Sequence, residues 1–497
     1  MSRVAGIDLG TQSVKLVIYD DDARSVVATA AAPLELISGD DGRCEQQAEW
    51  WVHAVDACFA QVEAGVRQSI AAIAVSGQQH GFVPVDADGK VLAPVKLWCD
   101  TSTNAECAQI MQAVGGVARC IELVGNPILA GYTASKLPWT RKHRPQAYAR
   151  MAKILLPHDY LNFHLTGEYF CEYGDASGTG WFDVRARRWS SALLRAIDPE
   201  RDLTPCLPPL VDVGTTFPVR PDIADRLGIP HATVVAVGGG DNMMAALGTG
   251  AVVPGRLVMS LGTSGTLFAC SKVPMVDANG AWAAFCSSGG DWLPLICTMN
   301  CTVATETVAR MFGFSTRDGD ARVTATVPGA GGLTLLPFFN GERTPDLPLG
   351  KGVLAGMNLG NVCEANMYRA AMEGATYSLK YGYDAFIRAG MAFDSVVLTG
   401  GGSNSAAWRQ MVADVFDLRV DVPEKSEGAA FGAALQALWS LHVSHGGAMS
   451  LPELVAMHAV TDPALATIPD RGSVDAYRQP YQRFLDHLRV ARSLYGT

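Results

Sequence analysis

The chain has 497 residues. At about 150 residues per domain this predicts two or three domains and excludes a single small binding module. Hydrophobic residues make up 48% and charged residues 18%, and no apolar run approaches the roughly 18 residues of a membrane span. The net charge is −10 and no basic block interrupts it. We therefore predict a globular protein that has neither membrane nor nucleic-acid partners.

The start of the chain and the cysteines indicate the compartment. Asp8 interrupts the amino-terminal segment before the apolar stretch of a signal peptide could form, so we expect a cytoplasmic protein. The 12 cysteines have irregular spacing without a Cys-x-x-Cys motif, and most lie in apolar runs, as Cys270, Cys297 and Cys301 do. We interpret them as buried reduced thiols, and the absence of clustered histidines argues against a structural metal.

The first elements are predicted from apolar runs and turn residues. Residues 4–9 and 14–19 are predicted strands joined by a turn at 10–13, and residues 25–30 provide a third strand. From Glu45 the apolar residues adopt helical spacing, with one face formed by Trp50, Val55, Cys58, Phe59 and Val62. Residues 70–75 form the next predicted strand.

The opening turn has an internal repeat. Residues 7–13 read Ile-Asp-Leu-Gly-Thr-Gln-Ser, and residues 259–265 read Met-Ser-Leu-Gly-Thr-Ser-Gly, about half the chain further on. Each copy is flanked by apolar strands, which predicts two similar domains that each contribute a turn of backbone amides suited to phosphate. Either copy alone could be an ordinary hairpin turn.

Two further glycine clusters follow predicted strands. The strand at 234–237 ends in Gly238, Gly239 and Gly240 before Asp241, which is a candidate general base or the N-cap of a helix at 243–247. The strand at 395–399 ends in three glycines, after which Ser403 and Asn404 either cap a helix or bond a ligand. Neither a Gly-x-Gly-x-x-Gly motif nor a P-loop is present in these stretches.

These motifs resemble those of a known superfamily. Residues 8–15, 261–265 and 400–402 are similar to the two phosphate motifs and the adenosine motif of actin, heat-shock chaperones and sugar kinases. Residues 352–357 with 366–373 resemble the second signature of the FGGY carbohydrate kinases. The first signature is matched at Thr133, Lys136, Leu137 and Trp139, with Thr140 in place of the usual apolar residue.

The resemblance implies an α/β fold with two actin-like or ribonuclease H-like domains that flank a catalytic cleft. The expected division is an N-terminal FGGY domain at 1–245 that mainly binds sugar and a C-terminal FGGY domain at 246–440 that mainly binds ATP. A helical tail at 441–497 would follow. Its predicted helix, with Tyr477, Tyr481, Phe484, Leu488 and Tyr495 on one side, suits core packing or oligomerisation, so a homodimer is possible.

The sugar-facing stretches narrow the resemblance. Residues 76–81 (Ser-Gly-Gln-Gln-His-Gly), 240–242 (Gly-Asp-Asn) and 341–345 (Gly-Glu-Arg-Thr-Pro) are similar to those of the FGGY branch that phosphorylates D-xylulose. The stretches typical of glycerol kinases are absent from these positions. One position departs from the branch, because Ser102 stands where arginine is frequent, so the role of the 98–102 loop stays open.

The resemblance also implies site residues. The expected contacts with sugar are Gln79, His80, Gly81, Trp98, Asp100, Asp241 and Asn242. The expected contacts with ATP are Gly10, Thr11, Gln12, Ser13, Lys15, Gly262, Thr263, Ser264, Gly401, Gly402 and Asn404. Asp8 is the expected partner of Mg²⁺. Simpler alternatives are turn capping for Asp8, a loop hydrogen bond for His80 and core packing for Trp98.

The expected reaction is ATP-dependent phosphorylation of D-xylulose to D-xylulose 5-phosphate with release of ADP, and Asp241 would accept the hydroxyl proton. The expected cofactors are ATP and Mg²⁺. One alternative is an FGGY kinase for another ketose or a polyol, such as ribulose or a pentitol. The other is an actin-like or chaperone-like ATPase that has no sugar substrate.

Overall fold

The computed structural model describes residues 3–425 and 428–495. Within these residues the strands are β1 Arg3–Leu9, β2 Ser13–Asp20, β3 Ser25–Pro33, β4 Ile37–Ser38, β5 Cys44–Gln46, β6 Ile70–Gly77, β7 Val83–Val85, β8 Val95–Lys96, β9 Lys153–Leu155, β10 Phe182–Asp183, β11 Arg188–Trp189, β12 Thr216–Pro218, β13 Val234–Ala236, β14 Gly239–Gly240, β15 Gly255–Leu261, β16 Gly265–Ala269, β17 Leu295–Thr298, β18 Thr334–Pro337, β19 Gly352–Ala355, β20 Phe393–Thr399 and β21 Arg419–Asp421.

The α-helices alternate with these strands over most of the chain. They are α1 Ala48–Ala60, α2 Ala64–Arg67, α3 Asn104–Ala113, α4 Val117–Val124, α5 Thr133–His143, α6 Pro145–Arg150, α7 Pro157–Thr166, α8 Tyr173–Ala176, α9 Ser191–Ile197, α10 Pro221–Leu227, α11 Asp241–Gly248, α12 Thr302–Phe312, α13 Gly319–Thr324, α14 Glu364–Arg388, α15 Ala406–Phe416, α16 Gly428–Ser444, α17 Leu451–His458 and α18 Arg471–Tyr495.

The chain divides into two compact units that are not contiguous in sequence. The first unit comprises the described parts of Met1–Val252, Ser271–Pro294 and Glu427–Ala459. The second unit comprises the described parts of Val253–Cys270, Leu295–Ser426 and Val460–Thr497. The segment after residue 440 is therefore shared between the units. In the second unit α18 buries Tyr477, Phe484 and Leu488, so its apolar side serves core packing.

The internal repeat in the sequence corresponds to a repeated sheet topology. In the first unit the strand order is β12-β13-β6-β1-β2-β3, and β14 also pairs with β6. In the second unit the order is β17-β16-β15-β20-β21. Each sheet begins with three consecutive antiparallel strands, β1-β2-β3 in the first and β15-β16-β17 in the second. A later strand, β6 or β20, pairs in parallel with the first of the three. A further strand, β13 or β21, pairs in parallel with that one. The strands predicted around both Leu-Gly-Thr turns are confirmed.

Some local predictions differ from the structure. The predicted helical spacing from Glu45 is wrong at its start, because Cys44–Gln46 forms β5 and α1 begins at Ala48. The polar sequence does not show this strand, because its pairing with β8 joins segments about 50 residues apart. Among the cysteines expected to be buried, Cys297 is only half-buried, whereas Cys270 and Cys301 are buried.

Among the described residues, no single helix is long and apolar enough to cross a membrane. The pair α3 and α4, bent by 79°, meets the requirement by length and composition alone.

Helix α16 packs against the first unit's sheet through glycines. A Cβ atom on Gly6 of β1 would lie 1.8 Å from the carbonyl oxygen of Ala430 in α16. A Cβ atom on Gly432 would lie 1.8 Å from the carbonyl oxygen of Met244 in α11. Neither distance is compatible with a side chain, so β1, α16 and α11 require glycine where their backbones meet.

We predict that Gly6→Ala lowers the free energy of unfolding by about 1–3 kcal/mol or more, because overpacking usually costs this much and the backbone of α16 must move. The midpoint of urea unfolding measures the change. Gly65→Ala in α2 is the control, because its nearest atom would be the flexible Glu63 carboxylate at 3.9 Å. Equal stability of the two variants would contradict the packing described.

Candidate active site

The first Leu-Gly-Thr turn connects β1 to β2 in the first unit. The amide of Gly10 donates to the carbonyl oxygen of Ser13 at 3.0 Å and closes the turn. The hydroxyl of Thr11 donates to Oε1 of Gln78 at 3.0 Å and accepts from the indole nitrogen of Trp98 at 2.9 Å. Gln12 is exposed beside these residues. The turn is thus attached to two segments that the sequence assigned to sugar.

Asp8 lies at the carboxyl end of β1, where β1 runs parallel to β6. Ser76 of β6 donates its hydroxyl to Oδ1 of Asp8 at 2.9 Å. Lys15 stands opposite Asp8 in the register of β1 and β2 and is exposed. The carboxylate therefore lies at the strand ends, where α/β proteins bind ligands, rather than only capping the turn.

Asp241 and Asn242 start α11, close to the residues that follow β6. The amide and the side-chain Nδ2 of Asn242 donate to Oδ1 of Asp241 at 2.7 and 2.9 Å. Nδ2 of Asn242 also donates to Oε1 of Gln79 at 3.2 Å. Gly240 is the N-cap residue of α11, so Asp241 is not the cap. A Cβ atom on Gly240 would lie 2.8 Å from the Gln79 side chain, which explains this glycine.

The carboxyl group of Asp241 has altered acidity. Burial, followed by the neighbouring Asp8 carboxylate, raises the pKa of Asp241 to about 7. Asp175 adds to the effect, whereas the hydrogen bonds from Asn242 oppose it. A carboxylate in this position accepts a proton near neutral pH much more readily than an exposed aspartate does.

Gln79 offers a hydrogen-bond donor to this site. Its side chain is 4% exposed, and among the described residues its Nε2 atom has no partner. A buried donor without a partner costs free energy unless a ligand group accepts from it. Gly81, two residues further on, is explained by packing, because a Cβ atom there would lie 2.4 Å from Pro157.

Trp98 and Asp100 have different roles. Trp98 is 37% exposed and bonded to Thr11, so the alternative of core packing is wrong for it. Asp100 is buried and accepts from the Cys44 amide, from Lys96 and from Ser102. Burial alone raises the pKa of Asp100, but these bonds outweigh it and hold the pKa below its usual range. Asp100 therefore anchors its loop through protein donors.

Ser102, in the 98–102 loop, belongs to a polar network. Its hydroxyl donates to Asp100 and accepts from the ammonium group of Lys96 at 2.8 Å. Lys96 also lies 3.7 Å above the ring centre of Trp139, a residue of the first FGGY signature. Serine thus takes part in a buried charged network at the position where arginine is frequent.

The second Leu-Gly-Thr turn lies in the second unit, between β15 and β16. The amide of Gly262 donates to the carbonyl oxygen of Ser264 at 3.1 Å, as Gly10 does to Ser13 in the first turn. The carbonyl oxygens of Gly262 and Thr263 accept from the amides of Thr302 and Cys301 at the start of α12. A glycine-closed hairpin therefore recurs, but its loop is one residue shorter, because Leu261 pairs with Gly265 whereas Leu9 pairs with Val14. Its Gly262 and Thr263 carbonyl groups are bonded to protein donors.

The glycine cluster after β20 also belongs to the second unit. Gly400 has a φ of 80°, and a Cβ atom there would lie 2.6 Å from the Leu261 carbonyl oxygen. Around Gly401 a Cβ atom would meet nothing within 4 Å, whereas Gly402 packs on Leu261. Asn404 is exposed.

The residue that caps α15 is Ser405, which accepts from the Trp408 amide. The alternative role of Ser403 or Asn404 as the helix cap is therefore wrong. The hydroxyl of Ser403 bonds back to the carbonyl oxygen of Gly400 at 2.7 Å. In the same unit Glu342, from a predicted sugar-facing stretch, is buried and accepts from Met299 and Asn300.

Sequence reasoning missed a buried ionic cluster in the first unit. Nδ1 of His158 lies 2.6 Å from Oδ2 of Asp175, and both side chains are fully buried. Burial lowers the pKa of His158, but Asp159 and Asp175 outweigh burial and raise it to about 9. The available signal was the stretch Gly-Asp-Ala-Ser-Gly at 174–178, a carboxylate among small residues.

Comparison with known proteins shows the family of this chain. Residues 3–248 match the N-terminal domain and residues 257–441 the C-terminal domain of the FGGY family of carbohydrate kinases. The chain belongs to this family. It is 39% identical to xylulose kinase of Haemophilus influenzae, over 97% of this chain and 99% of that protein, and 38% identical to xylulose kinase of Streptomyces coelicolor, over 87% of each. The structure of xylulose kinase from Bifidobacterium adolescentis superimposes with a TM-score of 0.82 at 29% identity, covering 96% of this chain and 99% of that one.

Family membership confirms several expectations. The FGGY kinase has the predicted actin-like, ribonuclease H-like fold and uses ATP as co-substrate. The alternative of an actin-like or chaperone-like ATPase without a sugar substrate is wrong, because the family consists of carbohydrate kinases. The division into sugar-binding and ATP-binding domains at residue 245, and the roles of individual residues, stay predictions.

We predict that Asp8→Asn lowers the pKa of Asp241 in the metal-free FGGY kinase, because a neighbouring negative charge that disfavours ionisation is removed. At a fixed pH below 7, more of Asp241 is then deprotonated. Carboxyl ¹³C NMR titration of labelled aspartate measures the shift, and Asp241→Asn identifies the resonance. Asp88→Asn, at an exposed position, is the control. An unchanged titration midpoint would contradict the coupling.

Proposed function

We propose that the protein transfers the γ-phosphoryl group of ATP to D-xylulose and forms D-xylulose 5-phosphate, ADP and a proton. The observation that carries the proposal is the arrangement of Gln79, Asp241 and Asn242 at two strand ends. It combines a proton acceptor with polar groups that can orient a hydroxyl. The similarity to xylulose kinases over nearly the whole chain favours this sugar.

Asp241 is the proposed general base. A sugar hydroxyl is a weak nucleophile at neutral pH, and a positioned carboxylate accelerates its attack by taking the proton as the bond to phosphorus forms. Oδ1 of Asp241 is held by Asn242, which fixes the orientation of the carboxylate. Burial and the Asp8 carboxylate raise the pKa of Asp241 to about 7, which favours uptake of a proton near neutral pH.

Gln79 and His80 are proposed to recognise the sugar. Nε2 of Gln79 is a buried donor for a sugar hydroxyl, and its Oε1 is already oriented by Asn242. A site of this kind discriminates strongly, because an analogue that lacks the hydroxyl leaves the donor unpaired. Trp98 and Asn242 complete the proposed sugar contacts.

The proposed ATP contacts are the two Leu-Gly-Thr turns and the 400–404 cluster. In each turn the glycine amide is bonded across the hairpin, to Ser13 in the first turn and to Ser264 in the second. Turns of this type bind phosphate through successive backbone amides. The open space at Gly401 leaves room for a nucleoside against the main chain.

Asp8 is the proposed protein ligand of Mg²⁺. Among the described residues, no group of three or more His, Cys, Asp and Glu side chains forms a metal cluster. Asp8 is near enough to Asp241 to raise its pKa, and one or two carboxylates together with phosphate and water are the usual partners of Mg²⁺. The residues therefore fit the ion, which when bound supplies neutralisation of phosphate charge.

We predict that D-xylulose gives the highest kcat/KM in a panel that also contains D-ribulose, a pentitol, glycerol and gluconate. The assay follows ADP release with ATP and Mg²⁺, and ³¹P NMR identifies the position of the phosphate. The Asp241→Asn variant shows the background of ATP hydrolysis. A higher kcat/KM for D-ribulose or the pentitol would contradict the prediction and assign that sugar as the substrate of this FGGY kinase.

We predict that Asp241→Asn lowers kcat by about 10²- to 10⁴-fold, the usual contribution of a general base. The affinity for ATP, measured by calorimetry, should stay within twofold, because the substitution preserves shape. Asp88→Asn is the matched control, since it removes an exposed carboxylate. Turnover within a few-fold of the parent would show that another group accepts the proton.

A further inference from the structure

The backbone of His80 has an unusual conformation. Its φ is 67°, in the left-handed region that side chains other than glycine rarely adopt. A conformation of this kind persists only where surrounding contacts hold it, and such residues are frequent in functional sites. Contacts with other segments must therefore hold His80 in this conformation.

Helix α5 supplies those groups. The ammonium group of Lys136 donates to the carbonyl oxygen of His80 at 2.6 Å, and the hydroxyl of Thr133 donates to the same oxygen at 3.1 Å. Two donors on one carbonyl fix the peptide that follows His80, and thereby the direction of its side chain. Lys136 and Thr133 both belong to the stretch that resembles the first FGGY signature, and neither is among the proposed contacts with sugar or ATP.

Lys136 connects His80 to a second segment. Its ammonium group also donates to the carbonyl oxygen of Gly131 at 2.9 Å. A Cβ atom on Gly131 would lie 2.6 Å from the carbonyl oxygen of Trp98, so these two segments touch. One ammonium group thus joins the His80 segment to the backbone that supports Trp98.

The position of Lys136 is energetically costly. Its side chain is fully buried, and burial lowers the pKa of Lys136 to about 7. The Asp100 carboxylate opposes this effect, but the two hydrogen-bond acceptors described for Lys136 are the carbonyl oxygens of His80 and Gly131. These contacts join two backbone segments and point to a positioning role.

The His80 ring is also closely fitted. Its centre lies 4.7 Å from that of Tyr132. A Cβ atom on Gly178 would lie 2.2 Å from Nδ1 of His80. Because the ring has little space on this side, a small rotation of its backbone would displace it.

We propose that Lys136 is a positioning residue for sugar recognition, which acts by holding the carbonyl group of His80 so that the imidazole keeps its place in the site. This inference rests on the proposed function only in that His80 contacts sugar. Lys136 itself contacts protein carbonyl groups. The effect assigned to it passes through His80, whose carbonyl oxygen it bonds directly, whereas Trp98 is reached only through Gly131.

A double-mutant cycle tests the proposal with the full chain. The variants are Lys136→Met, His80→Ala and the double variant, assayed with the panel sugar that the parent phosphorylates best. We expect Lys136→Met to lower kcat/KM for sugar by roughly 10- to 100-fold, mainly through KM, with KM for ATP within twofold. In the His80→Ala background, Lys136→Met should lower kcat/KM for sugar by less than about threefold.

A second pair of variants keeps the test decisive if Lys136→Met does not fold. Thr133→Val removes the other donor to the same carbonyl oxygen with little change in volume and should raise KM for sugar by roughly 3- to 10-fold. Thr133→Ser keeps the hydroxyl and should restore the parental value. Lys142→Met, at an exposed lysine of α5, is the control and should change neither constant.

The outcomes separate the two proposals. A parent enzyme that phosphorylates none of the sugars contradicts the proposed function. A parent that phosphorylates sugar, with equal losses for Lys136→Met in both backgrounds or with a parallel loss of ATP affinity, contradicts the positioning role and assigns Lys136 to the fold. Unchanged kinetics for both Lys136→Met and Thr133→Val would also overturn the inference.

Discussion

The close packing of α16 against β1 and α11 is the constraint on which the first unit depends. Gly6 and Gly432 allow backbone to approach backbone at distances that exclude any side chain. The buried side chain of Gln436 in α16 accepts from the amide of Gly238 and donates to the carbonyl oxygen of Gly238. Both polar backbone groups of this residue, in the loop after β13, are thereby satisfied. That loop leads directly into Asp241. The position of the candidate base is therefore set by a helix almost 200 residues further along the chain, through contacts that tolerate little change in volume.

The strand pairing of the first unit accounts for the raised pKa of Asp241. Strands β1 and β14 both pair in parallel with β6, so Asp8 and Asp241 lie at the same edge of the sheet on either side of β6. Burial disfavours the charge on Asp241, and the Asp8 carboxylate adds to this effect, so the pKa of Asp241 rises. The raised pKa of this candidate base follows from the strand topology, since neither aspartate has an unusual neighbour in sequence.

Polar residues of the family motifs divide into two physical classes. Gln79 keeps a buried donor without a partner among the described residues, which leaves it available to a ligand. Asp100 and Glu342 have their oxygens bonded to protein donors, and they stabilise loops. A motif residue can thus be required because it binds substrate or because it satisfies buried backbone groups. Hydrogen-bond partners separate these reasons, whereas residue type does not.

The sequence by itself determined the local elements and their repetition. The two Leu-Gly-Thr turns, their flanking strands and the glycine cluster after β20 follow from apolar runs and turn residues, which act over a few positions. Resemblance to the family added the fold and the reaction. The tertiary structure alone decided the strand at Cys44–Gln46, the cap at Ser405 instead of Ser403 or Asn404, and the bonding of Asp100 and Lys136. Each of these features depends on partners distant in sequence or on competition between adjacent polar groups. The neighbours of a residue in sequence do not show which group it will bond or whether it will be buried.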